Sequence, residues 1–139
     1  MAGLSPKLPI RRDATDGYAL TKTYTEMILQ NLKNLMLTVP GERMMEPLFG
    51  VGLSKFLFEQ HNTAVYANIA ARTKSQVRKY MPFVSIDNMT FYGPLGVWDS
   101  VRGTVDDRLV ADADPNKLQI KISLTIKPLA RSTTLKLNL

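Results

Sequence analysis

Apolar positions along the chain follow two rhythms, helical up to about residue 80 and alternating after it. Tyr24, Met27, Ile28, Leu32 and Leu35 recur at helical spacing, opposite Lys22, Glu26, Gln30, Lys33 and Asn34. Thr23 and Glu26 stand at capping-box spacing, so this helix is predicted to begin at Thr23. Pro40 and Gly41 end it, and Val39 is restricted by the proline that follows. A shorter apolar segment, 53–60, predicts a two-turn helix capped by Ser54, with Leu53, Phe56 and Leu57 toward the core and Phe58 beside them. A third helix is predicted from Asn62 or Thr63, both good caps, to Tyr80. Its buried stripe would be Tyr66, Ile69, Ala70, Thr73, Val77 and Tyr80, leaving Arg72, Lys74, Gln76 and Lys79 on a solvated face.

From Pro82 the period becomes two. "FVSIDNMTF", residues 83–91, is rich in β-formers with broken alternation, which predicts a strand carrying a bulge. "LQIKISLTIK", residues 118–127, alternates without a fault, with Leu118, Ile120, Ile122, Leu124 and Ile126 inward. Between them, residues 92–117 are rich in Gly, Asp and Pro and read as a long loop, with a short hairpin around Val97, Trp98, Val101 and Val105. After Pro128 the chain alternates again: Leu135, Leu137 and Leu139 against Thr134, Lys136 and Asn138. Such a strand suits pairing with a sheet edge, its own or another chain's. At the other end, Pro6 and Pro9 disfavour a helix and Asp16-Gly17 signals a turn, so residues 1–17 read as an arm, mobile or tied to a partner.

The fold class is therefore α+β: three N-terminal helices packed on a small antiparallel sheet. The expected organisation is an arm at 1–17, one domain at 18–128 with 92–117 inserted, and a terminal strand at 129–139.

Composition narrows the function classes. No apolar run approaches the ~18 residues a membrane helix needs, and the first residues lack the apolar centre of a signal peptide. Without cysteine, disulfides and thiolate metal ligands are excluded. The +6 net charge, from 18 basic and 12 acidic residues, favours acidic partners, but the cations are dispersed. No basic and aromatic interleaving marks a direct nucleic-acid partner.

Catalytic patterns are equally sparse. The lone histidine, His61, reads as a linker or capping residue. Gly41, Gly50 and Gly52 lack the Gly-Lys-Ser/Thr ending of a phosphate loop and follow a helix instead of a strand. Glu42 and Glu46, or the aspartates of 99–114, could pair as glycoside hydrolases require, but such spacings arise readily by coincidence. Asp112-Ala-Asp114 reads as a turn. The stretch "TVPGERMMEPLFGVGL", residues 38–53, reads as a rigid joint with Phe49 as apolar anchor. Glu42 and Arg43 would tie that turn to the body or to a partner, with Arg43 directed inward.

Thr38-x-Pro40-Gly41-Glu42-Arg43-Met44, then Pro47-x-Phe49-Gly50, Leu53 and Leu57-Phe58-Glu59, resembles the signature of the baseplate wedge and sheath-initiator family of contractile phage tails, which extends to a type VI secretion baseplate component and is often labelled "lysozyme-like". The likeness covers about residues 21–91, and the strand at 118–127 fits in order. It implies a non-enzymatic virion component, assembled in the host cytoplasm, that sits in the tail baseplate near the tube. Its implied partners are wedge core-bundle proteins and the tail sheath protein, with tube or hub proteins as further candidates, in sixfold copies. A peptidoglycan-degrading, lysozyme-like tail enzyme is the rival implied by the label. Neither a metal nor a cofactor is expected, and neither nucleic acid nor membrane is a direct partner.

By the same resemblance, Glu42, Arg43, Pro47 and Phe49 form the joint or a partner contact. Relatives carry Glu-Pro-Arg after the third helix, where the charged pair helps dock the core bundle. Here the residues are Met81, Pro82 and Phe83, so docking is apolar at this point or its electrostatic part has moved to Arg78 or Lys79. Thr134, Leu135, Lys136, Leu137 and Asn138 would join a sheet shared between subunits.

Overall fold

The computed structural model describes residues 3–93, 96–106 and 117–139, without the side chain of Pro128. Two short strand pairs come first: β1 (Ser5–Pro6) with β4 (Leu20–Thr21), and β2 (Arg12–Asp13) with β3 (Gly17–Tyr18). Residues 3–21 thus fold back on their own chain. The Gln30 side chain fixes them to the first helix, donating to the Pro6 carbonyl at 2.9 Å and accepting from the Leu8 N–H at 3.0 Å. One side-chain amide satisfies two backbone groups that two prolines would otherwise leave outside any ladder.

Helix α1 (Tyr24–Leu37) starts where expected, the Thr23 hydroxyl accepting from the Glu26 N–H at 3.3 Å. It buries Ile28, Leu32, Leu35 and Met36, while Tyr24 lies 60% exposed because the first turn overhangs the core. Helix α2 (Leu53–Phe56) is a single turn, with Gly52 in place of Ser54 as its cap. Leu53 and Phe56 are buried, but Phe58, past the helix end, is 94% exposed and Leu57 also faces outward. Helix α3 (Thr63–Tyr80) is capped by Asn62, whose Oδ1 accepts from the Val65 N–H at 2.8 Å. Its predicted stripe is buried except Tyr80, which is half-buried.

The main sheet has five antiparallel strands: β5 (Val84–Gly93), β6 (Gly96–Asp99), β7 (Val105–Asp106), β8 (Gln119–Ile126) and β9 (Arg131–Asn138), in the order β7-β6-β5-β8-β9. The broken alternation of β5 has a clear cause. Its register against β8 shifts between Ile86 and Asn88, so Val84 and Met89, of opposite parity, both face the core, opposite Ile126 and Ile122. The Thr125 hydroxyl donates to the Asp87 carboxylate at 2.6 Å and holds the bulge. Strand β8 alternates in burial as its sequence does. Its inward residues, with Met89 and Phe91, meet Leu32, Leu35, Tyr66, Ile69 and Val77 in one core.

Three details sharpen the expected architecture. Strand pairs precede the helices, and a 3-10 turn at Lys127–Leu129 follows the first long strands. The hairpin expected around Val97, Trp98 and Val105 forms, as β6 with β7, and it joins the main sheet: Phe91 pairs with Trp98 and Tyr92 with Val97. Trp98 packs edge-on against Phe91 at 5.4 Å between centroids, and Phe91 stacks on Tyr66 at 5.0 Å. Aromatic pairing outweighs the Gly-rich context that reads as loop, at about 0.5–1.5 kcal/mol per pair beyond area. The Asp112–Asp114 turn lies outside the described residues. Finally, of the two edges open to it, β9 takes its own sheet's: it pairs with β8 along its whole length and buries Leu137.

Candidate functional site

Proline and glycine follow the end of α1, and hydrogen bonds hold the joint at 38–53 while residues 41–48 are exposed and Val51 and Leu53 are buried. The Thr38 N–H and hydroxyl both bond the Asn34 carbonyl, at 3.0 and 2.7 Å. Glu42 closes the turn locally, its Oε2 accepting from the Val39 N–H at 3.1 Å. The Pro47 carbonyl accepts from the Gly41 N–H at 2.8 Å. Gln76, expected on a solvated face, reaches across from α3: its Oε1 accepts from the Gly50 N–H and its Nε2 donates to the Leu48 carbonyl, both at 3.1 Å. No sequence motif marks that clamp; only tertiary proximity creates it.

Arg43 is exposed and sits over the Phe49 ring, its guanidinium carbon 3.9 Å from the centroid. It is therefore turned across the surface and not into the core. Phe49 meets Tyr80 edge-on at 4.9 Å. The Tyr80 hydroxyl donates to Glu46 at 2.7 Å, and Lys79 pairs with the same carboxylate at 3.4 Å. The Tyr80 hydrogen bond first, and Lys79 second, hold the Glu46 carboxyl below its ordinary value. Lys79 is thus engaged within the chain.

An open cleft of about 320 Å³ lies beside this ladder. Arg43, Phe49, Met81 and Phe83 line it together with Asn34 and Tyr80. Four residues singled out from sequence thus converge, although 31 or more positions separate the two pairs. Glu42 and Pro47 support the turn instead. Pro82 faces a second groove of about 330 Å³, where Lys74, Arg78 and Lys127 gather. Arg78 thus shares a groove with Pro82 and is not among the residues that line the Arg43 cleft.

The residues 134–138 form part of the sheet edge. Leu118 and Leu139 exchange both backbone hydrogen bonds at 3.0 Å, and the register runs to Ile126↔Arg131 without a shift. In an antiparallel ladder bonded and non-bonded pairs alternate. Hence Ser132, Thr134, Lys136 and Asn138 turn their backbone N–H and C=O groups away from β8, toward the open edge. Leu135 and Leu137 bond inward and face the core side.

Catalytic or metal geometry is weakly represented. Among the described residues no three His, Asp or Glu side chains gather at metal-binding distance, and no helix is long and apolar enough to cross a membrane. His61 is a structural partner: its Nδ1 lies 3.0 Å from the hydroxyl of Tyr66, whose ionisation burial pushes up.

Similarity to solved structures supports the fold. A provisionally assigned tail lysozyme from Geobacter sulfurreducens is 19% identical, with a TM-score of 0.62 over 87% of this chain and 94% of that one. A chain of the anti-feeding prophage baseplate, solved with sixfold symmetry imposed, is 23% identical, with a TM-score of 0.61 over 86% of this chain and 82% of that one. No curated protein sequence matches. The family profile described as baseplate wedge protein gp25 matches residues 22–128, which takes in the joint, all three helices and the sheet through β8. The chain belongs to the baseplate wedge protein gp25 family, a structural component of the tail baseplate.

Proposed function

We propose that this protein is a non-enzymatic sheath initiator, present in sixfold copies in a virion tail baseplate assembled in the host cytoplasm. It docks on the wedge core bundle near the tube and templates the first ring of sheath subunits. The observation that carries this reading is the outward backbone of Ser132, Thr134, Lys136 and Asn138, a ready ladder for a strand from a sheath subunit. The Arg43–Phe83 cleft supplies an amphipathic seat for the core bundle, and tube or hub proteins would lie beyond it.

Deleting the last eight residues is not a clean test, because it would remove buried Leu137 and uncover β8. Thr134→Pro is better, since it removes one outward N–H and leaves the bonds to β8 in place. It should melt with the parent protein, enter baseplates and leave them without sheath in negative-stain images. Full-length sheaths on Thr134→Pro baseplates would show the strand reading to be wrong. In parallel, Phe83→Asp should fold but fail to join the baseplate.

The alternative is a peptidoglycan-cleaving tail enzyme, favoured only by the designation of the Geobacter structure. A glycosidase acid needs a raised pKa, whereas Glu46 is lowered and Glu42 is spent on the Val39 N–H. Clearing of a cell-wall suspension that is lost in Glu42→Gln would reinstate the enzyme.

A further inference from the structure

The open edge carries an unbalanced charge that constrains its guest. Lys121 and Lys136 stand directly opposite one another on the outer face of the sheet. Theirs is a non-hydrogen-bonded pair by the alternation fixed at Leu118–Leu139, the type in which facing side chains come closest. Like charges so placed repel. Among the described residues neither ammonium has a carboxylate partner, and the shallow groove they line offers only Tyr92, Gln119 and Asn138 as polar neighbours. On the opposite face, Leu135 borders a mostly apolar groove of about 490 Å³ between α1 and the arm, with Leu8, Pro9, Leu29 and Leu37.

Resting on the reading of β9 as a docking edge, we infer that the strand it accepts comes from a partner chain and is two-faced: acidic on the outer side in register with Lys136, and apolar on the inner side beside Leu135. An extended guest bonded to the outward groups of Thr134, Lys136 and Asn138 sets its side chains in phase with theirs. A carboxylate opposite Lys136 then neutralises the lysine pair, while its neighbours in sequence enter the apolar groove.

The test uses the full chain and two synthetic eight-residue peptides that alternate valine with threonine. One carries glutamate in place of a central threonine and its twin carries lysine. Binding is followed by fluorescence anisotropy at low salt, with hydrogen exchange of the β9 amides as location. One attraction and one repulsion, each worth a few-fold, should make the glutamate peptide roughly tenfold tighter. Lys121→Glu with Lys136→Glu should reverse the order, and Lys136→Gln, which carries little risk to folding, should narrow it. Twins that bind alike and both protect β9 would overturn the acidic guest while leaving the docking edge standing. Binding by neither twin, with β9 amides unprotected, would overturn the docking edge and this inference with it.

Discussion

Replacing Gly50 with alanine introduces two separable costs. The residue has φ +111, where an L side chain is disfavoured by about 1–2 kcal/mol. An added Cβ would also lie 2.1 Å from the Thr38 carbonyl oxygen, where ordinary contact begins near 3.4 Å. The carbonyl would have to retreat by roughly 1 Å, and Thr38 is the residue that closes α1 onto Asn34. Overpacking of this kind costs about 1–3 kcal/mol, for a total of about 2–5 kcal/mol. Gly41 provides the control, because φ is +99 there but nothing lies within 4 Å of the added carbon. Gly41→Ala should therefore show only the first cost. Urea unfolding of both variants, followed by circular dichroism, isolates the steric part as their difference. At roughly 4 °C per kcal/mol for a chain of this size, Gly50→Ala should also melt about 8–20 °C early. Equal stability of the two variants would refute the close approach of residues 38 and 50, and with it the rigid joint.

Other outcomes follow from the same geometry. Tyr66→Phe removes a buried hydroxyl bonded to His61 and should cost about 1 kcal/mol in urea, since half-buried His61 can turn to water. Asn62→Ala removes the side-chain N-cap of α3 and should cost about 1 kcal/mol by the same measurement. Glu46 has a folded-state pKa below its ordinary 4.5, so its contribution is present above that value and is lost as pH falls through the lower folded value. The protection of the Gly50 amide, taken relative to its intrinsic exchange rate at each pH, should fall over that window in the parent protein and show no such step in Glu46→Gln.

Local chemistry determined which parts were legible in advance. The cap at Asn62, the stripe of α3, the alternation of β8 and the bulge near Asp87 each express a period or a side-chain bond spanning a few residues. Where a partner distant in sequence decides the outcome, pattern misled. Tyr24 and Phe58 fit a helical stripe yet are exposed, and the expected hairpin at Val97–Val105 gave no sign that it would join β5 and bring Trp98 onto Phe91 and Tyr66. The arm appears unattached until Gln30 bridges Pro6 and Leu8. In the site, resemblance picked out Arg43, Phe49, Met81 and Phe83, while the contributions of Tyr80, Gln76 and the Lys121–Lys136 pairing depend on register and proximity.

The position of β8 in the sheet has a bearing on biosynthesis. It sits between β5 and β9, and Val84 must wait for Ile126, 42 residues later, to complete the floor beneath α1 and α3. Loop closure of that span precedes any return from the contacts it enables. A nascent chain halted at residue 117 therefore holds its helices without a seat, and should be digested by a protease that spares the finished chain. The ladder along β9 comes into being only once β8 is in place, so an incompletely synthesised subunit presents no ordered strand edge at all.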